Sequence, residues 1–105
     1  MEYEYRVEDR KDHAMVILPQ KVIIPYSDNF EPAMREAYEM GYKTIILDCS
    51  DMKMFDTAGI AYVAVYQKKI KDRGGELKMV NVKNDYVKHL FRMIEFNKLV
   101  SIEEV

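Results

Sequence analysis

The stretch Thr44-Ile45-Ile46-Leu47-Asp48-Cys49-Ser50-Asp51-Met52-Lys53-Met54-Phe55-Asp56-Thr57-Ala58-Gly59-Ile60 decides how this chain folds. It opens with four residues, TIIL, that are β-branched or apolar at successive positions. A strand with apolar groups on both faces is the mark of a buried, central position in a sheet. Asp48 closes that strand. After the connection 49–55, Asp56 stands where a helix N-cap belongs, ready to accept a hydrogen bond from the N–H of Ala58 or Gly59. A long helix is predicted over Thr57 to Arg73. Gly59, Val63, Tyr66 and Ile70 share one of its faces, which Ile60 and Ala64 widen. Lys68, Lys69, Lys71 and Arg73 crowd its last turns, where cations suit the helix dipole. Gly74-Gly75 ends it.

Outward from this unit the pattern repeats. Upstream, Ser27-Asp28-Asn29 offers three caps, with Glu31 three residues after Asp28 as a capping box requires. Phe30, Met34, Ala37 and Met40 then recur at helical spacing up to Gly41. Downstream, Glu76 to Val80 reads as a strand. Asn84 or Asp85 caps a third helix with Val87, Leu90, Phe91 and Ile94 as its stripe, and Leu99 to Ile102 forms a last strand or docking tail. Tyr3 to Val7 suggests an edge strand. Ala14 to Leu18 and Lys21 to Ile24, split by Pro19-Gln20, read as a hairpin that Pro25 ends. Strand–helix–strand order with buried strands implies parallel pairing and right-handed crossovers, with helices covering the faces of the sheet.

Composition sets limits. The 105 residues form one domain, 1–105, with 49% hydrophobic and 32% charged residues and a net charge of −2. That balance fits a soluble globular core and excludes wholesale disorder. The acidic balance argues against a general nucleic-acid binder. No apolar run approaches the roughly 20 residues that a membrane span needs. The single Cys49 excludes an internal disulfide. With a charged N-terminus that lacks an apolar h-region, it sets the expectation of a reducing, cytoplasmic location.

The chemistry concentrates at Asp56-Thr57. Thr57 falls at the first helical position, its hydroxyl beside free backbone N–H groups and the positive end of the dipole. A phosphoryl group there would add about −1.5 to −2 charges where a helix tolerates them. Cap chemistry alone favours an unmodified threonine, since capped helices beginning Asp-Thr are common. Beyond it, Ala58, Ala61, Tyr62 and Val65 form a second apolar face. That face can pack inside the molecule or meet a partner.

Asp48-Cys49-Ser50, five residues, then Asp56-Thr57-Ala58-Gly59, with Arg73-Gly74-Gly75-Glu76-Leu77 and the tail Val87 to Ile102 in register, resemble the STAS domain family. The branch most similar is that of the stand-alone bacterial anti-sigma factor antagonists. The resemblance implies an α/β fold with a mixed four- to five-stranded sheet and three to four helices. It implies a non-catalytic switch without a cofactor. Its unmodified form binds an anti-sigma factor that is also a serine-threonine protein kinase, and so frees the sigma factor. The kinase phosphorylates the residue after the motif aspartate, here Thr57, and a phosphatase resets the switch. Asp48, Ser50, Asp56 and Gly59 match the motif, and Ser50 is a weaker second acceptor. The acceptor departs from the usual serine, and residues 20–27 lack the family's Gly–acidic–apolar–Asp turn. The alternative is a non-phosphorylated STAS scaffold, as in a sensory assembly or a membrane transport complex.

Other chemistries fit less well. Asp-Thr-Ala-Gly differs from the Asp-Thr-Gly of aspartic proteases by the inserted Ala58, and a helix follows it. Cys49 has only His13 and His89 as bases in the chain, with no recognisable constellation. Two histidines and one cysteine make no metal-spacing motif. Neither GxxxxGK[ST] nor GxGxxG is present.

Overall fold

The double-sided apolar run does become the middle of a sheet. The computed structural model describes residues 2–23 and 26–105. Its main sheet has five strands: β1 (Arg6–Asp9), β2 (Ala14–Ile17), β4 (Thr44–Asp48), β6 (Glu76–Val82) and β7 (Ser101–Glu104), in the order β1-β2-β4-β6-β7. Only β1 runs antiparallel to its neighbour; β2, β4, β6 and β7 are mutually parallel. Two further strands, β3 (Lys21–Val22) and β5 (Met54–Phe55), pair in parallel as a separate ribbon. The α-helices are α1 (Phe30–Glu39), α2 (Thr57–Asp72) and α3 (Asp85–Met93). The 3₁₀ turns Tyr26–Asn29 and Phe96–Lys98 complete the described elements.

Alternation in the strands sorts the core from the surface. Ala14, Val16, Ile45, Leu47, Leu77 and Met79 are buried, whereas Met15, Ile17, Ile46, Lys78 and Val80 between them are only half-buried. The inner row forms one continuous core with Phe30, Met34 and Ala37 of α1, Val63, Tyr66 and Ile70 of α2, and Val87 and Phe91 of α3. The expectation that helices cover both faces is thus corrected: the core lies against one face only.

Several local readings change. The hairpin of Ala14–Leu18 with Lys21–Ile24 does not form. β2 pairs instead with β1, and β3 pairs with β5 across the motif loop. Pro19 has no N–H to donate, and the chain turns there: the Leu18 N–H donates to the Asp48 carbonyl, the Lys21 N–H to that of Glu2. Ile24 and Pro25, expected to end that strand, lie outside the described residues. The edge strand sits at Arg6–Asp9 rather than Tyr3–Val7. At α1 the cap residue is Asn29, without a side-chain cap bond, and the Asp28–Glu31 box is not made. Glu31 instead takes hydrogen bonds from Arg35 (2.9 Å) and the Tyr66 hydroxyl (2.6 Å). On α3, Asn84 caps as one of the two expected residues, its Oδ1 accepting from the Val87 N–H at 3.1 Å. Ile94, expected in the buried stripe, is 40% exposed because α3 ends at Met93. The last strand falls at Ser101–Glu104 rather than Leu99–Ile102.

Gly75 shows how tightly α2 returns to the sheet. A Cβ there would sit 2.0 Å from the Lys43 carbonyl oxygen, which accepts the Glu76 N–H at 2.7 Å. Only a residue without a side chain lets the backbones approach so closely.

Candidate functional site at the start of α2

Asp56 is delivered by the ribbon. Its N–H donates to the Val22 carbonyl (3.1 Å), while Lys53 and Met54 donate to that of Gln20. With φ −114° and ψ −175°, Asp56 is extended and its carboxylate turns back over the helix. Oδ1 accepts from the Ala58 N–H (3.1 Å) and the Gly59 N–H (3.2 Å), the cap expected from the sequence. Thr57 is the first residue of α2 and is exposed. The next two N–H groups are already engaged by Asp56, so the threonine side chain projects from a helix start whose geometry is fixed.

Gly59 explains the fit of this turn. A Cβ on it would lie 2.9 Å and 3.0 Å from the Phe55 ring and 3.0 Å from Val22 Cγ1. The helix therefore seats directly on the β3–β5 ribbon. Phe55 is buried and meets the Phe91 ring edge-on at 5.4 Å, tying the ribbon to α3.

Asp48 has a different task. Its Oδ1 accepts from the Ser50 N–H (3.0 Å) and from Asn81 Nδ2 (3.2 Å). It holds the turn after β4 and ties it to the end of β6. Asn81 takes a left-handed conformation, φ 59°, at the irregularity between Met79 and Val82. Ser50 is half-buried. Asp48 holds the start of the connecting loop and Asp56 its end. Between them Cys49 is 1% exposed and Met52 is 2% exposed. Burial, and then the charge of Asp48, push the Cys49 thiol up, so the thiolate a nucleophile needs is disfavoured.

The second face of α2 reaches the surface. Ala61 is exposed and Val65 is 50% exposed, with Ala58 and Tyr62 half-buried beside them. Tyr62 meets Phe30 edge-on at 6.0 Å. Tyr5, which the sequence did not single out, stacks on the other side of Phe30 at 5.2 Å. Its hydroxyl is buried, and no described residue bonds it. Burial first, then the charge of Asp56, hold that phenol well above its usual range. Tyr5 and Asn81 carried no sequence signal, because they reach the motif through sheet order rather than spacing. Among the described residues no group of three His, Cys, Asp or Glu side chains could hold a metal. No described helix is long and apolar enough to cross a membrane.

The STAS domain family matches residues 4–105. This chain belongs to the STAS domain family. The STAS domain is similar in fold to TM1081 of Thermotoga maritima, with 23% identity and a TM-score of 0.78, covering 96% of this chain and 86% of that one. It is similar to an anti-sigma factor antagonist from Mycobacterium paratuberculosis, with 14% identity and a TM-score of 0.84 over 95% of this chain and 84% of that one. The phosphorylated form of the Bacillus cell fate determinant SpoIIAA gives 12% identity and a TM-score of 0.72, over 97% and 91% of the two chains. No curated protein sequence matches this STAS domain significantly.

Proposed function

We propose that this STAS domain is an anti-sigma factor antagonist of the cytoplasm, a binding switch without catalysis of its own. Unmodified, it binds an anti-sigma factor that is also a serine-threonine kinase, and the sigma factor is released. Phosphorylation of Thr57 turns it off, and a phosphatase restores it. The observation that carries this reading is the exposed Thr57 at the first position of a helix capped by Asp56. Similarity in fold to SpoIIAA, known in unphosphorylated and phosphorylated forms, supports it.

The physical logic is short. A phosphoryl group at Thr57 gains from the helix dipole, by about 0.3–1 kcal/mol, so the modified domain keeps its fold. The same charge, set beside Ala58, Ala61 and Tyr62, must be desolvated when a partner covers that face. A loss of about 3 kcal/mol weakens binding roughly a hundredfold. No conformational change is needed. Asp48 and Asp56 act here as positioning residues, one for the loop and one for the helix start.

Incubation with ATP and the anti-sigma kinase from the same genome, followed by intact-mass measurement, tests the proposal. The expected gain is about 80 Da on the wild type and none on Thr57→Ala. A kinase that binds tightly yet adds no mass to either form points to the non-phosphorylated scaffold.

A further inference from the structure

The sheet is built for burial on both faces, and the fold covers one. Parallel strands belong almost always to sheets covered on both sides, and their sequences run apolar without alternation. β2, β4, β6 and β7 are parallel, and Ala14–Ile17 and Ile45–Leu47 are unbroken apolar runs. Yet Met15, Ile17, Ile46 and Val80 project from the face away from the core and are only half-buried. A contiguous apolar patch on such a surface marks an interaction site.

The register fixes what surrounds it. Glu8, Met15, Ile46 and Lys78 lie in one row across β1, β2, β4 and β6. The row on one side continues as Arg6, Ile17, Asp48 and Val80. On the other side Arg10, His13, Thr44 and Glu76 follow, since the Arg10 N–H donates to the His13 carbonyl at 3.0 Å and Thr44 pairs with Glu76. Across these four strands the charges are balanced, three cations against three anions: Glu8 and Lys78, and Arg10 and Glu76, sit at the β1 and β6 ends of their rows, whereas Arg6 shares its row with Asp48 on β4.

We infer that this face packs against the same face of a second copy of the chain. A two-fold axis along the strands, between β2 and β4, exchanges β1 with β6 and β2 with β4. It places Glu8 over Lys78 of the second copy, Arg10 over Glu76, and Met15 over Ile46. Arg6 lies over Val80 and is offset sideways by one strand spacing, about 4.8 Å, from the second copy's Asp48, across sheets about 10 Å apart. Glu8 and Arg10 thus meet charges of opposite sign, while the apolar centre closes on itself, in the aligned packing common to sheet sandwiches. Within one copy these charges make surface pairs, Arg6–Glu8 at 3.1 Å, Arg10–Glu8 at 2.8 Å and Lys78–Glu76 at 3.4 Å. Such pairs exchange partners at little cost. The patch measures about 20 by 20 Å from strand and row spacings, below the standard interface size of about 800 Å² per partner. The dimer is accordingly weak, in the micromolar to millimolar range. Helix α2 packs on the covered face, so the inference stands or falls independently of Thr57.

Sedimentation equilibrium of the full chain across concentration, with thermal unfolding as a check on folding, tests it. Wild type is expected to self-associate. Glu8→Lys and Lys78→Glu each set like charges face to face and weaken association at least about tenfold. Mixed together, the two variants form a heterodimer in which both facing pairs are again opposite, at close to wild-type affinity. A wild type that stays monomeric at millimolar concentration overturns the inference and leaves the face to a different partner. So does a dimer that both charge reversals leave intact, or two folded variants whose mixture does not recover association.

Discussion

Asp56 and Thr57 divide the labour at the head of α2. Asp56 spends one oxygen on two N–H groups, at 3.1 and 3.2 Å, and so fixes the direction of the helix. Thr57 is left with an exposed side chain on that rigid mount. Asp56→Ala is expected to lower stability by about 1 kcal/mol, the usual cost of a lost cap, read from the urea midpoint. Asp56→Asn keeps an acceptor and loses less. Thr57→Glu places a permanent negative charge at the helix start and is expected to weaken kinase binding by tenfold or more in a calorimetric titration, while the urea midpoint stays at or slightly above the wild-type value. This cap was legible because capping is local: Asp56 and the N–H groups two and three residues on decide it. Tyr5 and Asn81 were not, because each meets the motif across a gap of thirty or more residues that only the strand order closes.

Among the elements, α2 was the most legible. Its buried residues Gly59, Val63, Tyr66 and Ile70 are the stripe that the helical period selects. The glycine in it has a packing reason, and so does the one beyond its end. Gly75→Ala drives a Cβ against the Lys43 carbonyl, a backbone atom that cannot step aside. A loss of about 3 kcal/mol or more is expected, with a matching fall in Tm. Gly59→Ala meets the tip of the Phe55 ring and Val22, and gains helix propensity of about 1 kcal/mol in return. Its net cost is therefore smaller, about 1–2 kcal/mol. Equal losses from the two substitutions would contradict this ordering. The β3–β5 ribbon escaped the sequence for a physical reason. Two-residue strands have no period to read, and the partner of β3 comes from the connecting loop rather than from the neighbouring run. The hairpin reading failed there because nearness in sequence stood in for pairing.

For the molecule as a whole, the core contains groups that resist ionisation. Burial raises the Cys49 thiol above its ordinary 9.0. Burial raises the Tyr5 and Tyr66 phenols above 10.0, aided at Tyr66 by its hydrogen bond to Glu31. A folded-state pKa above the unfolded one favours the neutral form in the native state. The associated stability is complete below the unfolded values and is lost as pH rises past them. Urea midpoints are therefore expected to hold from pH 7 to about 8.5 and to fall steadily above about pH 9 to 10. Tyr5→Phe removes one such group and makes the fall shallower. The sheet's central strand and the order of elements were readable from TIIL and the caps around it. The open second face was not, since an apolar run records that a strand is to be covered but not by what.

The central claim is that Thr57 is the residue through which this domain is switched. Intact-mass measurement after incubation with ATP and the anti-sigma kinase, with fragment mapping, tests it most directly. The account predicts a single added phosphoryl group, about 80 Da, localised to Thr57 and absent from Thr57→Ala. A phosphoryl group mapped to Ser50 or any other residue, with Thr57 unmodified, would contradict it.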